Sequence, residues 1–117
     1  MRISTAFQTF LTEAPGYAKI WMKTVHELGD TSALDNKTQT LAYLSVLAAT
    51  RMTSGIPFHV DCAKAAGATR EEITGAILIG LPAVGNTVIE SLSIALAAFD
   101  RANGEKPCYP RAGGDPS

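Results

Sequence analysis

Apolar residues recur along most of this chain at the three- and four-residue spacing of helices. In the second predicted helix, for example, Ile20, Trp21, Val25 and Leu28 fall on a helical spacing. Neither a period-two alternation nor an Asn-Gly hairpin between strand-like runs is present in the sequence. The pattern therefore predicts an all-α fold, a single-domain bundle of about six helices.

Start and stop signals divide the apolar pattern into segments. The predicted helices cover about residues 3–12, 17–28, 36–53, 57–66, 70–79 and 84–102. Asp35 is placed to cap the third helix, which we expect to be the longest. Pro57 suits the first turn of the fourth helix, and Gly67 suits its end. Residues 29–32 are expected to form a turn.

The chain divides into three regions within one domain. Residues 1–34 form the N-terminal helices, residues 35–102 the helical core, and residues 103–117 an irregular tail with three glycines and three prolines. Thr69 precedes Glu72 in the pattern of a capping box, the clearest local signal. The third helix is apolar on most sides, so we expect it at the centre of the fold or in an interface.

Composition favours assembly with other copies of the chain. The 117 residues include 46% hydrophobic but 18% charged residues, whereas a quarter charged is roughly average. A small chain with few charges has apolar surface to cover, and burial between subunits is the simplest way. The sequence therefore predicts a homo-oligomer.

Charge and hydropathy argue against several other partners. The net charge is −1, without charged runs, so we expect no nucleic-acid partner. The apolar stretch 77–99 is interrupted by Pro82, Asn86 and Glu90, which predicts a buried helix and no membrane partner. No signal peptide is apparent. The two cysteines, at 62 and 108, are far apart, which favours neither a disulfide scaffold nor a metal cluster. We therefore expect a reduced, cytoplasmic protein without a metal.

His59 is the main candidate for chemistry. It lies in the predicted first turn of the fourth helix, with Cys62 three residues later on the same face. Unpaired N–H groups and the helix dipole favour a neutral imidazole there, and a neutral ring can accept a proton. A structural histidine is the plain alternative. A metal site with Cys62 and His26 would need a further ligand.

Two other residues, Cys62 and Glu90, can each be interpreted in two ways. Cys62 stands among apolar and small residues, so an inert buried thiol is its default role. Glu90 lies between Ile89 and Leu92 in an apolar helix, where a buried carboxylate needs a partner or a proton. An interfacial ion pair with Arg51 is as reasonable for Glu90 as a functional role.

The segment 35–99 resembles a known family. The matching elements are the apolar helix LAYLSVLAATRM, then His59, then AKAAGATREEI, then an apolar helix with a Gly/Pro break. This arrangement is similar to the carboxymuconolactone decarboxylase family, which includes the alkylhydroperoxidase D-like proteins. The resemblance implies an all-α fold and a homotrimer or homohexamer, with sites at or near the subunit contacts.

The peroxidase branch of that family carries Cys-x-x-Cys-x-x-x-His with an upstream glutamate. Counted from His59, the cysteine positions hold Met52 and Gly55, and the glutamate position holds Thr40. Disulfide peroxidase chemistry needs an attacking thiolate, a resolving thiol and a base to relay the proton. The resemblance therefore does not extend to that mechanism.

The decarboxylase branch is closer in one respect, since it has a histidine without a cysteine pair. It acts on small carboxylated lactones without a metal or organic cofactor. Its Pro-Ala-Ala-Asn-Thr stretch resembles residues 82–87 with one extra residue. Its charged helix before the histidine is not matched by residues 50–58, which leaves the substrate open.

Three hypotheses follow. The first is a cofactor-free enzyme on a small carboxylic acid or lactone, in which His59 moves a proton and Arg51 holds a carboxylate. Contacts to the substrate are then expected from Thr40, Cys62, Asn86 and Glu90. The second is a non-catalytic member that binds a small ligand or a partner. The third is a thiol-dependent activity of Cys62 alone.

Overall fold

The computed structural model describes residues 3–101. The helices, labelled in chain order, are α1 (Thr5–Glu13), α2 (Pro15–Thr31), α3 (Asn36–Ala49), α4 (Ile56–Ala65), α5 (Arg70–Leu78), α6 (Leu81–Val84) and α7 (Glu90–Asp100). Two 3-10 turns, Thr53–Gly55 and Gly85–Val88, precede α4 and α7. No strand occurs in this part of the chain, so the predicted all-α fold is confirmed there. The predicted tail, 103–117, lies outside the described residues.

Several helix ends follow from local capping, as predicted. The Asp35 side chain accepts a hydrogen bond from the Thr38 backbone N–H at 2.8 Å. The Thr69 hydroxyl accepts one from the backbone N–H of Glu72 at 3.0 Å, and the Glu72 carboxylate accepts one from the Thr69 N–H at 2.9 Å. This reciprocal pair is the predicted capping box. Gly67 follows α4 with a positive φ of 95°.

Other predicted boundaries were wrong. α2 continues through Gly29 to Thr31, so the turn expected at 29–32 is mostly helix, and α2 is longer than α3. A single glycine in a helix costs only about 1 kcal/mol relative to alanine, which the rest of the helix offsets. The last predicted helix is divided, because Gly85 takes a φ of 62° and a 3-10 turn follows.

Four helices enclose the core. α4 and α5 each pack against both α3 and α7. The buried apolar side chains come from all four helices and from the segments between them: Leu44, Leu47, Ala48, Ile56, Val60, Ala63, Ala68, Ile73, Ile77, Val88, Ala95 and Ala98. The small residues on α7 allow that helix to approach its neighbours closely.

Polar side chains tie the same helices together at their edges. The contacts are Ser45 Oγ donating to the Ala76 carbonyl at 2.7 Å, Lys64 Nζ donating to the Phe99 carbonyl at 2.7 Å, the Lys37–Glu72 ion pair at 3.0 Å, and two Arg70–Asp100 bonds of 2.9 Å. They join α3 to α5, α4 to α7, and α5 to α7. The four-helix core therefore has a defined register at these crossings.

The N-terminal pair of helices is less embedded. α1 and α2 pack mainly on each other, and Ala18 is the residue of α2 that is fully buried. Large apolar side chains of α2 therefore face outward, among them Tyr17, Ile20 and Trp21. Within residues 3–101, no single helix is both long and apolar enough to cross a bilayer. The strongly bent pair Arg70–Val88 and Glu90–Asp100 meets that test only when the two are taken together.

Candidate functional site

His59 lies where α3 and α4 pack against each other. The first 3-10 turn brings the chain from α3 into α4, and His59 falls in the first turns of α4. Its ring contacts the Tyr43 ring of α3, with centroids 4.6 Å apart and planes tilted by 55°. The Phe58 ring meets it edge-on at 5.0 Å. His59 itself is half-buried, whereas Tyr43 is 49% exposed, so the imidazole lies just beneath an aromatic surface.

Burial determines the protonation of His59. Desolvation lowers the pKa of His59 to about 4 from its ordinary value of 6.5, because the charged ring is poorly solvated there. The imidazole is therefore neutral at pH 7, as the sequence predicted. Burial is the cause of this shift. A neutral imidazole has one nitrogen that donates a proton and one that accepts one.

Arg51 ends α3 in an unusual conformation. Its φ is 62°, in the left-handed region where residues other than glycine are uncommon. The N–H of Met52 bonds to the Leu47 carbonyl at 2.9 Å and the N–H of Arg51 to the Ala48 carbonyl at 3.3 Å. This pattern is a Schellman motif, in which the left-handed position is normally glycine.

The Arg51 side chain is exposed. No residue of the described range 3–101 makes an ion pair or hydrogen bond with its guanidinium. A guanidinium in this state can bind a carboxylate with two parallel hydrogen bonds. Arg51 is therefore chemically suited to the anion-holding role expected from the sequence.

The other predicted site residues are spread over the surface. Thr40 is half-buried on α3, one turn before Tyr43, and its hydroxyl donates to the Asn36 carbonyl at 2.7 Å. Asn86 is exposed in the second 3-10 turn. Glu90 begins α7 and is also exposed. The expectation of a buried Glu90 carboxylate was wrong, because the residue stands at the helix start rather than within a buried helix.

Cys62 is buried as predicted, but its sulfur is not a thiol. The residue is 4% exposed and disulfide-bonded, so the expectation of a reduced cysteine was wrong. The other cysteine of the sequence, Cys108, lies outside the described residues. A disulfide-bonded sulfur cannot act as a nucleophile without prior reduction. The third hypothesis and the cysteine argument for a reducing compartment both lose their basis.

The sequence did not identify the two aromatic rings that contact His59 in the structure. In the sequence, Tyr43 is one residue of the largely apolar α3, and Phe58 directly precedes the histidine. Position 43 lies one helical turn after Thr40, a predicted site residue, so the two share a face of α3. That spacing was the signal in the sequence that could have pointed to Tyr43. Only the packing of α3 on α4 shows that the ring meets His59.

No metal site is apparent in the described range. Among residues 3–101, no group of three or more His, Cys, Asp or Glu side chains is arranged to hold a metal ion. Structural zinc sites use four such ligands and catalytic ones usually three. His59 therefore has no ready ligand set around it in this part of the chain.

Comparison with known proteins assigns the chain to a class. The model of the carboxymuconolactone decarboxylase family matches residues 15–98, more than half of the chain. The match spans α2 to most of α7 and includes His59. The chain belongs to the carboxymuconolactone decarboxylase family, and the resemblance seen over residues 35–99 is confirmed. No curated protein and no solved structure matches the chain.

Proposed function

We propose that this protein is a carboxymuconolactone decarboxylase-like enzyme that carries out cofactor-free acid–base chemistry on a small carboxylic acid or lactone. The observation that carries the proposal is the neutral imidazole of His59, half-buried beneath the exposed Tyr43 ring in a family domain. Arg51, exposed and unpaired within residues 3–101, holds the substrate carboxylate.

His59 acts as the acid and base in this proposal. For proton transfer within a lactone, the neutral ring takes a proton from a carbon beside the carbonyl and returns it to a second carbon. For decarboxylation, the bond to the carboxyl carbon breaks, carbon dioxide leaves, and the electron pair stays on the remaining carbon. His59, which takes up a proton from solvent when the substrate anion binds, then delivers that proton to the carbon.

A bound anion is needed to make His59 effective. A group whose pKa is near 4 is a weak base at pH 7, because its conjugate acid is strongly disfavoured. A substrate carboxylate or enolate beside the ring favours the imidazolium and raises the pKa of His59. Substrate binding and proton uptake are therefore coupled, and the ligand itself activates the histidine.

The first test is an NMR titration of the His59 ring with and without a panel of small carboxylic acids and lactones. His59→Gln assigns the signal against His26. We expect the pKa of His59 to lie near 4 without ligand and to rise on saturation with one class of acid. Arg51→Gln weakens that binding about tenfold or more. Arg101→Gln, which removes another exposed arginine, leaves it unchanged.

The alternative is a non-catalytic member of the family that binds a ligand or a partner. A desolvated His59 packed between two rings supports it, because such a ring can also be a packing element. The same titration separates the two. A His59 whose titration ignores every acid and lactone would replace the enzyme proposal with this alternative.

The proposal includes assembly of several copies, as a homotrimer or homohexamer. Large apolar side chains are exposed on α2, on α3 and on the α6 region, among them Ile20, Val46 and Ile79. Exposed apolar side chains support this proposal, because large apolar patches on a protein surface usually mark an interface. Disulfide peroxidase activity is not proposed, since Met52 and Gly55 occupy the positions of the required cysteines.

A further inference from the structure

Gly55 is a glycine that its backbone does not require. It ends the first 3-10 turn and precedes α4, with φ of −87° and ψ of −11°. These angles are accessible to every amino acid. Gly67 and Gly85 differ, because both have positive φ values. The absence of a side chain at position 55 therefore calls for an explanation other than backbone conformation.

The space above Gly55 borders the imidazole of His59. A Cβ atom placed there would lie 3.9 Å from His59 Cδ2, and 3.7 Å and 3.8 Å from the two methyl carbons of Leu47. These are ordinary contacts, so alanine fits without strain. Cδ2 is bonded to Nε2, so a longer side chain at position 55 is within reach of the ring edge that carries this nitrogen.

We infer that Gly55 sets the size of the substrate group that can approach His59, and that it selects an unbranched, uncharged reacting carbon. The inference rests on the proposed function. Beside the imidazole edge, the atoms nearest to this space are the two methyl groups of Leu47, which are apolar. A charged group would lose its hydration there, so the substrate carboxylate lies outside this space.

The first arm of the test measures access to the ring directly. Diethyl pyrocarbonate modifies neutral imidazoles, and mass spectrometry quantifies the product at His59 relative to the unmodified peptide. We expect Gly55→Ala to slow modification of His59 slightly and Gly55→Leu to slow it about tenfold or more. Gly75→Leu is the matched control, because Gly75 is exposed on α5 with nothing within 4 Å of its added Cβ.

The second arm measures selection with acetate, propanoate, 2-methylpropanoate and 2,2-dimethylpropanoate, followed by the His59 NMR signals. In the unaltered protein, affinity should fall sharply where branching begins. Gly55→Ala should move that limit to a smaller acid, and Gly75→Leu should not move it. Thermal unfolding checks that each variant folds. If Gly55→Leu does not fold, Gly55→Ala alone provides the test.

The outcomes separate this inference from the proposed function. Equal modification rates and an unchanged acid series in both Gly55 variants would overturn the role of Gly55 while acid binding stands. A His59 that is not modified even in the unaltered protein would also overturn it. If no acid moves the His59 signals but Gly55→Leu still slows modification, the steric role of Gly55 is supported and the proposed function fails.

Discussion

At the scale of single residues, His59 links the site to the stability of the fold. The pKa of His59 is about 4 in the folded chain and near 6.5 in an unfolded one. As pH falls below 6.5, the unfolded state therefore binds the proton first. The contribution of His59 to stability is complete above pH 6.5, is lost as pH falls towards 4, and amounts to about 3 kcal/mol in total.

We expect His59→Gln to remove this part of the pH dependence. Urea unfolding at pH 7, 5.5 and 4 measures the free energy of unfolding of both proteins. Subtracting the two curves cancels the carboxylates with lowered pKa values, such as Asp35, Glu72 and Asp100. Parallel curves for the unaltered protein and His59→Gln would show that the ring is solvated in solution.

The residues of the site were only partly predictable from sequence. His59 was identifiable, because a Gly-x-Pro break followed by a histidine marks the start of a helix. The prediction of a neutral ring held, and burial lowers the pKa of His59 in the structure. Tyr43 and Gly55 were not identified as neighbours of His59, because their contacts depend on how α3 crosses α4. Spacing along one helix does not contain that information.

At the scale of helices, α3 and α4 end in the same motif with different residues. After α4, Gly67 occupies the left-handed position, with its N–H bonded to the Lys64 carbonyl at 3.0 Å and the Ala68 N–H to the Ala63 carbonyl at 2.9 Å. After α3, Arg51 occupies the equivalent position. A left-handed conformation costs a residue with a Cβ about 1–2 kcal/mol. The end of α3 is therefore strained, and that of α4 is not.

Opposite effects are expected from substitutions at the two positions. Arg51→Gly should raise the free energy of unfolding by about 0.5–1 kcal/mol, because relief of strain exceeds the added entropy of glycine in the unfolded chain. Gly67→Ala should lower it by about 1 kcal/mol or more. Urea unfolding of both variants beside the unaltered protein measures the two changes.

A loss of stability in Arg51→Gly would contradict this account, since it would mean that the arginine stabilises the fold. If Arg51→Gly is more stable and also binds acids more weakly, the strain is retained for binding. Strain of this kind is concentrated at functional sites. Proteins commonly give up stability in this way where function requires a particular side chain.

The helices themselves were more predictable than their ends. Asp35, Thr69 and Gly67 act locally, through bonds within one turn, and their roles were confirmed. The end of α2 was predicted wrongly. The Gln39 side chain reaches back and donates to the Gly29 carbonyl at 3.4 Å and to the Leu34 carbonyl at 3.0 Å. A glycine in the sequence suggested a stop, whereas a contact ten residues away supports continuation.

At the scale of the whole molecule, the four-helix core and the N-terminal pair of helices differ in burial. The α3, α4, α5 and α7 core is closed by apolar contacts and polar bonds at its crossings. By contrast, Tyr17, Ile20 and Trp21 on α2 are 77%, 70% and 52% exposed. Ile20 and Trp21 follow Tyr17 by three and four positions, so they lie on the same face of the helix as Tyr17. Isolated helices are marginally stable in water, so a partner for this face is expected.

Sedimentation velocity over a range of protein concentrations tests whether another copy covers that face. We expect the unaltered protein to sediment as a trimer or hexamer at micromolar concentration. Ile20→Glu should weaken assembly about a hundredfold, because it buries an unpaired charge in the interface. Lys19→Gln changes the net charge equally on the opposite face of α2, so it should leave assembly unchanged.

Ile20 is exposed within one copy, so circular dichroism of Ile20→Glu should still show a helical chain. An unaltered protein that stays monomeric throughout would refute the proposed assembly, whereas an Ile20→Glu oligomer as stable as the unaltered one would place the interface on another helix.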